Sequence, residues 1–229
     1  MSALTGLLVG SAVACSIDPE LTTVPEGWQV QELSRDGVDT FTADLDGSTL
    51  SVTARDGNSD SNSRMVFWPE DRPAERDGET CISFTDGGWP SQEGIALRIA
   101  EVDGSTRILT VMKNVWGQAT SHVNVLLWDT ANPDKPETID TFVAEQVELP
   151  DGSVRPNPWS MCARTIGDQL TSVMWPSAEP QPSWDDPQAV HTTTLPDSVP
   201  SEGSTGLYVG HVPAGTTMSI TVLSGLGLD

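Results

Sequence analysis

Two stretches of this sequence carry acids at spacings that could do chemistry. In EVDGST, Glu101 and Asp103 stand two positions apart, and alternate positions of a strand face the same way. A third acid in step would complete a strand face able to present a nucleophile and an acid/base to a glycosidic bond. Gly104 instead opens a turn and Ser105 takes the third place, so the stretch reads as a solvated hairpin. In ETIDTFVAE, Glu137 and Asp140 are three apart, which sends them to opposite faces of a regular strand. The histidines His122, His191 and His211 lie far apart without a short-spaced ligand pattern, so zinc is not indicated. A lyase would gather Tyr, Arg and His or Gln on one concave sheet, and the chain has a single tyrosine, Tyr208. No Gly-x-Ser-x-Gly elbow and no phosphate-binding loop is present.

The aromatic residues carry the second signal. Eight Trp stand against four Phe and one Tyr, and an exposed indole offers a flat apolar face on which a sugar ring can stack. Trp128 and Trp175 end alternating runs, while Trp28 and Trp159 open them, so packing is expected for all four. Trp89 in TDGGWPSQEG and Trp116 in MKNVWGQAT have glycine, proline or polar neighbours and are expected in loops. With Asp86, Gln92, Asn114 and Gln118 as polar partners, these two tryptophans make the ligand-binding set that the sequence predicts. Loops at one end of a sandwich converge, so residues distant in sequence can share a rim. Calcium is the companion ligand to consider: ADLDGS and DGNSDSNS offer oxygens, but turn chemistry accounts for both without a dedicated calcium loop. No other cofactor is indicated.

The formal charge is −22, from 33 acidic side chains against nine Arg and two Lys, Lys113 and Lys135. Such a surface repels phosphate backbones and anionic lipid, which argues against nucleic acid as a partner. The acidity itself is accounted for by a solvated, colloidally stable surface.

The run LTGLLVGSAVAC ends in Ala12-Val13-Ala14-Cys15, small residues directly before a cysteine, and it resembles a bacterial lipoprotein signal with its lipobox. No Lys or Arg precedes the run, a departure from that pattern. The resemblance implies cleavage before Cys15 and lipidation of its thiol, with residues 1–14 a signal peptide, 15–27 a tether and 28–229 one domain. Membrane attachment would then be through the lipid only, since no apolar run is long enough to span a bilayer. Setting Cys15 aside leaves Cys81 and Cys162, an even pair that fits one disulfide; two separate buried thiols are the alternative.

Short alternating runs among 20 Gly and 17 Pro, without an extended helical period, predict an all-β fold of two packed antiparallel sheets. WQVQEL, VDTFTADL and STLSVTAR read as strands, the last two joined across Asp46-Gly47. GIALRIAE, ILTVMKN and HVNVLLWD read as a meander, with Ile95, Leu97 and Ile99 on one face of the first. ETIDTFVAEQVEL, WSMCARTIG, QLTSVMW, GLYVGHV and TMSITVL follow, while 56–80 around MVFW and 176–205 read as long loops.

CARTIGDQLTSVMWPSAEPQPSW and the later GLYVGHVPAG resemble the closing strands of the concanavalin A-like (laminin-G-like) jelly-roll sandwiches. The likeness rests on Arg164, Gly167, Asp168, Leu170, Trp175, Glu179-Pro180, Trp184 and Gly206 to Gly210. It implies a jelly roll of broad employment, from lectins and adhesion domains to polysaccharide-cleaving enzymes, so the site must be argued from residues. The expectation is an exported, lipid-anchored, non-enzymatic module that binds carbohydrate or another cell-envelope ligand. The alternatives are a glycosidase or lyase whose groups come from separate strands, and a structural or adhesion protein with a protein partner.

Overall fold

A computed structural model describes residues 22–34, 40–56, 63–85, 90–116 and 119–228. The strands are β1 (Thr22–Thr23), β2 (Trp28–Ser34), β3 (Thr40–Asp46), β4 (Thr49–Asp56), β5 (Arg64–Pro69), β6 (Gly78–Thr85), β7 (Gln92–Val102) and β8 (Ser105–Trp116). They continue with β9 (Ala119–Asp129), β10 (Glu137–Val143), β11 (Trp159–Ile166), β12 (Gln169–Pro176), β13 (His191–Thr194), β14 (Ser204–Gly210) and β15 (Thr217–Ser224). An eight-stranded sheet runs β1-β3-β4-β15-β6-β11-β12-β13 and a seven-stranded sheet runs β10-β9-β8-β7-β14-β5-β2. All pairings are antiparallel except that of two-residue β1 with β3. The all-β two-sheet sandwich is therefore what the alternating runs predicted, and the meander is β7, β8 and β9 as neighbours.

Alternation decides what each face does. Val52, Phe84, Ile95, Val125, Met161 and Ile220 face inward, in one core between the sheets. The seven-stranded sheet is apolar on its outer face as well, where Val66, Ile108, Met112, Trp128 and Tyr208 form a second cluster. Ile99 belongs to that outer cluster and not to the core face shared by Ile95 and Leu97. The register shifts between Leu97 and Ala100, and Arg98 takes a positive φ of 52°, so a bulge reverses the alternation there. The buried guanidinium of Arg98 donates to the carbonyls of Pro200 (2.8 Å) and Gly167 (2.6 Å), tying this bulge to the β11–β12 turn of the other sheet.

Three elements depart from the sequence reading. β6 occupies an inner position of its sheet; its first three residues fall in the stretch 56–80 read as loop and the rest was not read as a strand, while β13 lies within the stretch read as the 176–205 loop. The run from Glu137 stops as a strand at Val143, and a 3-10 turn, Glu145–Val147, follows. Cys81 and Cys162 do form a disulfide, between directly opposed positions of β6 and β11. Val173 and Trp175 surround it, and Trp184, Ala189 and Val190 pack over it. The guanidinium of Arg164 sits 4.2 Å from the Trp184 ring.

On one side the edge strands β10 and β13 belong to different sheets, and side chains join them. His191 Nε2 lies 2.8 Å from Asp140 Oδ2, which also accepts from Thr193, and the Phe142 ring stacks on His191 at 3.9 Å and 11°. Ser198 Oγ donates to Glu137 Oε2 at 3.1 Å. Glu137 and Asp140 thus share a face, contrary to their spacing of three. The register skips between Thr138 and Asp140, which sets Glu137 opposite Leu127 and Asp140 opposite Val125, both inward-facing positions. Partial burial raises the Asp140 carboxyl, but hydrogen bonds from His191, Thr193 and the Thr141 amide outweigh it and hold the group below the usual carboxylate range.

Two outcomes are expected. Replacing Cys81 and Cys162 by Ser opens a loop of 81 residues and should cost about 3–5 kcal/mol in urea unfolding. Because the folded Asp140 titrates below its unfolded value, its stabilisation is complete above the ordinary carboxylate range and is lost as pH falls through the folded value. Asp140→Asn should lower stability at neutral pH by roughly 0.5–1 kcal/mol and flatten the acid limb of the stability curve; an unchanged acid limb would contradict the assignment.

Candidate ligand-binding cleft

The site begins with the register of β7 and β8. Gly94 pairs with Met112, which sets Glu93 against Lys113 on the inner face and Gln92 against Asn114 on the outer one. Gly94 has to be glycine, since a Cβ would stand 2.4 Å from the Val111 carbonyl oxygen. Inside, Lys113 Nζ lies 2.8 Å from Glu93 Oε2 with both side chains 0 % exposed. Ser91 Oγ donates to Glu93 Oε1 at 2.9 Å, and Lys113 Nζ lies 5.9 Å from the Trp159 ring.

Outside, Gln92 Nε2 donates to Asn114 Oδ1 at 3.0 Å, and the Tyr208 hydroxyl donates to Gln92 Oε1 at 3.1 Å. The Tyr208 ring runs along its own strand over Gly210, where a Cβ would stand 2.6 Å from the hydroxyl oxygen. Burial pushes the Tyr208 phenol well above its ordinary pKa, against a smaller opposing pull from Arg64, so it stays a neutral donor. Trp128 Nε1 donates to Thr110 Oγ1 at 2.9 Å. Arg64 lies 5.7 Å from the Trp128 ring and donates to Ser34 Oγ at 3.0 Å.

A cleft of about 460 Å³ opens above these groups. Met112, Leu126 and Trp128 give it an apolar floor; Arg64, Gln92, Asn114, Asn124 and His211 are polar lining groups. Pro133, Asp134 and Pro136 of the β9–β10 connection make a wall. Asp134 is the carboxylate among the described lining residues. Glu101 and Asp103 are elsewhere, exposed at the β7–β8 hairpin, where Asp103 and Gly104 take positive φ of 53° and 84°.

Of the six residues predicted to bind ligand, Gln92 and Asn114 meet in this cleft. Gln92 is not a loop residue: it starts β7 and is 8 % exposed, because its amide is bonded on both sides. Trp116 is not in a loop either; β8 extends to it, and it pairs with Ala119 of β9. Asp86, Trp89 and Gln118 lie outside the described residues, as does Cys15. Gln92 begins β7, and Asn114 lies near the end of the neighbouring β8. Sequence reading missed Arg64, Asn124 and His211. Asn124 had a signal, a polar residue between Val123 and Val125 on the face opposite theirs. Arg64 and Tyr208 come together only through β5–β14 pairing, a long-range contact without a local signature.

Arg64, Gln92, Tyr208 and His211 do converge on one sheet, the grouping a lyase needs, but Tyr208 is fully buried beneath the cleft and its hydroxyl is committed to Gln92.

No family model matches this chain, and no curated protein matches its sequence. Among solved structures it is similar to a Bacillus subtilis protein of unknown function with a galectin-like fold, at 9 % identity over 85 % of this chain and 86 % of that one, TM-score 0.51. It also aligns with carbohydrate-binding module CBM66 from Bacillus subtilis, at 14 % identity, 89 % and 97 % coverage and TM-score 0.47. A third is the Ca2+-bound exoplasmic/lumenal domain of VIP36, at 11 % identity, 86 % and 82 % coverage and TM-score 0.49. At these identities the likeness concerns the jelly-roll sandwich fold, and the last two scores add no argument.

Gly210→Ala is expected to push Tyr208 off Gln92 and destabilise the protein by about 1–3 kcal/mol, as overpacking does. Tyr208→Phe keeps the ring and should cost nearer 1 kcal/mol, the value of one buried hydrogen bond. Parallel urea titrations rank the two, and the reverse order would refute the packing argument.

Proposed function

We propose that this chain is an exported, lipid-anchored surface protein whose sandwich binds carbohydrate in the cleft on the outer face of the seven-stranded sheet. The observation that supports it most is the pairing of amide groups with an apolar floor: Gln92, Asn114 and Asn124 beside Met112, Leu126 and Trp128. A sugar presents hydroxyls around its rim and C–H groups on its faces, so it needs directed donors and acceptors next to an apolar surface. The Gln92–Asn114 and Tyr208–Gln92 bonds fix the directions of two amides in advance, which reduces the ordering cost of binding. Export draws support from the disulfide, a bond that persists in oxidising compartments. Anchoring draws support from the Ala12–Cys15 run.

The test is a glycan array with the purified protein, with and without calcium, followed by calorimetry on the best ligand. Asn114→Ala and Arg64→Ala should each weaken binding by about tenfold or more, the equivalent of roughly 1.4 kcal/mol. No glycan bound in either condition, or two variants as tight as the parent, would leave the reading without support.

The convergence of Arg64, Gln92, Tyr208 and His211 favours a second reading, β-elimination on a uronate polysaccharide. Arg64 would hold the carboxylate while a base takes the proton from the carbon beside it; the electron pair left there forms a C=C bond as the β C–O bond to the next sugar breaks, and the departing oxygen takes a proton from water. The buried Tyr208 hydroxyl ranks it second. Unsaturated product, followed by ultraviolet absorbance, decides between them.

A further inference from the structure

The cleft is closed toward one sheet edge, and we infer that it takes the end of a glycan chain and not an internal stretch. This deepens the carbohydrate reading and rests on it.

A groove running across a sheet is open by default at both edges, so a polymer could lie along it. From β2 to β10 such a path crosses six interstrand steps, roughly 29 Å. The observed cleft begins at Ser34 on β2 and reaches Asn124, Leu126 and Trp128 on β9, and none of its described lining residues comes from β10. Pro133, Asp134 and Pro136 of the connection leading into β10 are there instead. The volume agrees: 460 Å³ lies in the lower part of the range of about 300–1,000 Å³ that encloses small ligands. A few terminal units fit such a space. A passing chain would have to cross the wall.

That wall is fixed. The Ala131 amide donates to Asp129 Oδ1 at 2.9 Å, Asn132 N to Asp129 O at 2.8 Å, and Lys135 N to Asn132 O at 3.1 Å. Thr130 N donates to Thr106 O, and Thr130 Oγ1 accepts from Thr106 N, so the connection is also tied to β8. Arg107 Nε lies 3.4 Å from Asp129 Oδ2. Two prolines restrict φ on either side of Asp134. A segment pinned at this many points is a stop and not a swinging lid.

The experiment is calorimetry of the full chain on a polysaccharide that binds it, before and after limited cleavage by an endo-acting enzyme. Binding sites per gram should rise in proportion to the ends created, and an oligosaccharide of the same linkage should bind within about threefold of the polymer's per-site Kd. Loosening the wall with Pro133→Gly and Pro136→Gly should raise the sites per gram on the uncleaved polymer. Sites that stay constant as ends multiply overturn chain-end recognition while leaving carbohydrate binding intact. Absence of binding to any glycan overturns the underlying reading.

Discussion

Glu93 and Lys113 form an ion pair withdrawn completely from water. Either charge alone at that depth would cost several kcal/mol, so the two strands that carry them are committed to one alignment. A slip of β7 against β8 by two residues would preserve the facing of every side chain yet leave both charges unpaired. The pair therefore adds to register what apolar alternation cannot supply. Its consequence appears on the other side of the sheet, because Gln92 and Asn114 are the adjacent residues. The alignment that satisfies the interior charges is the one that brings the two amides together over Tyr208.

The outer faces of the two sheets have been used differently. On the eight-stranded sheet, hydroxyls answer each other across β4 and β15, Thr49 with Thr221, Ser51 with Ser219 and Thr53 with Thr217, at 2.8–3.1 Å. Further along that face, the Trp184 loop lies over the disulfide. Those polar groups are already partnered. On the seven-stranded sheet a buried apolar layer, with Met112, Trp128 and Tyr208 in it, lies beneath the polar groups that line the cleft. Rigidity below and hydrogen-bonding capacity above are what a binding surface requires.

The fold was legible because its signals are local. Alternation in GIALRIAE, ILTVMKN and HVNVLLWD, and glycines at positive φ such as Gly47 and Gly167, are written into consecutive residues. The candidate site was legible in part: Gln92 and Asn114 were picked out by their neighbours, though as loop residues and not as bonded neighbours on β7 and β8. Arg64 and His211 could not be found that way, since only pairing between distant strands brings them to Gln92. Bulges defeat period-two reasoning in the same manner. At Arg98 one extra residue moved Ile99 outward, and near Ile139 another brought Glu137 and Asp140 to one face.

That second bulge bears on how the protein behaves in company. β10 is the terminal strand of its sheet, and an unprotected terminal strand invites another chain to add itself by backbone pairing. A kinked ladder with carboxylates turned into the seam is a poor template for such addition, because an incoming strand finds neither a straight edge nor a neutral one. Copies of this molecule that meet at the β10 edge would find it a poor start for fibrous self-assembly.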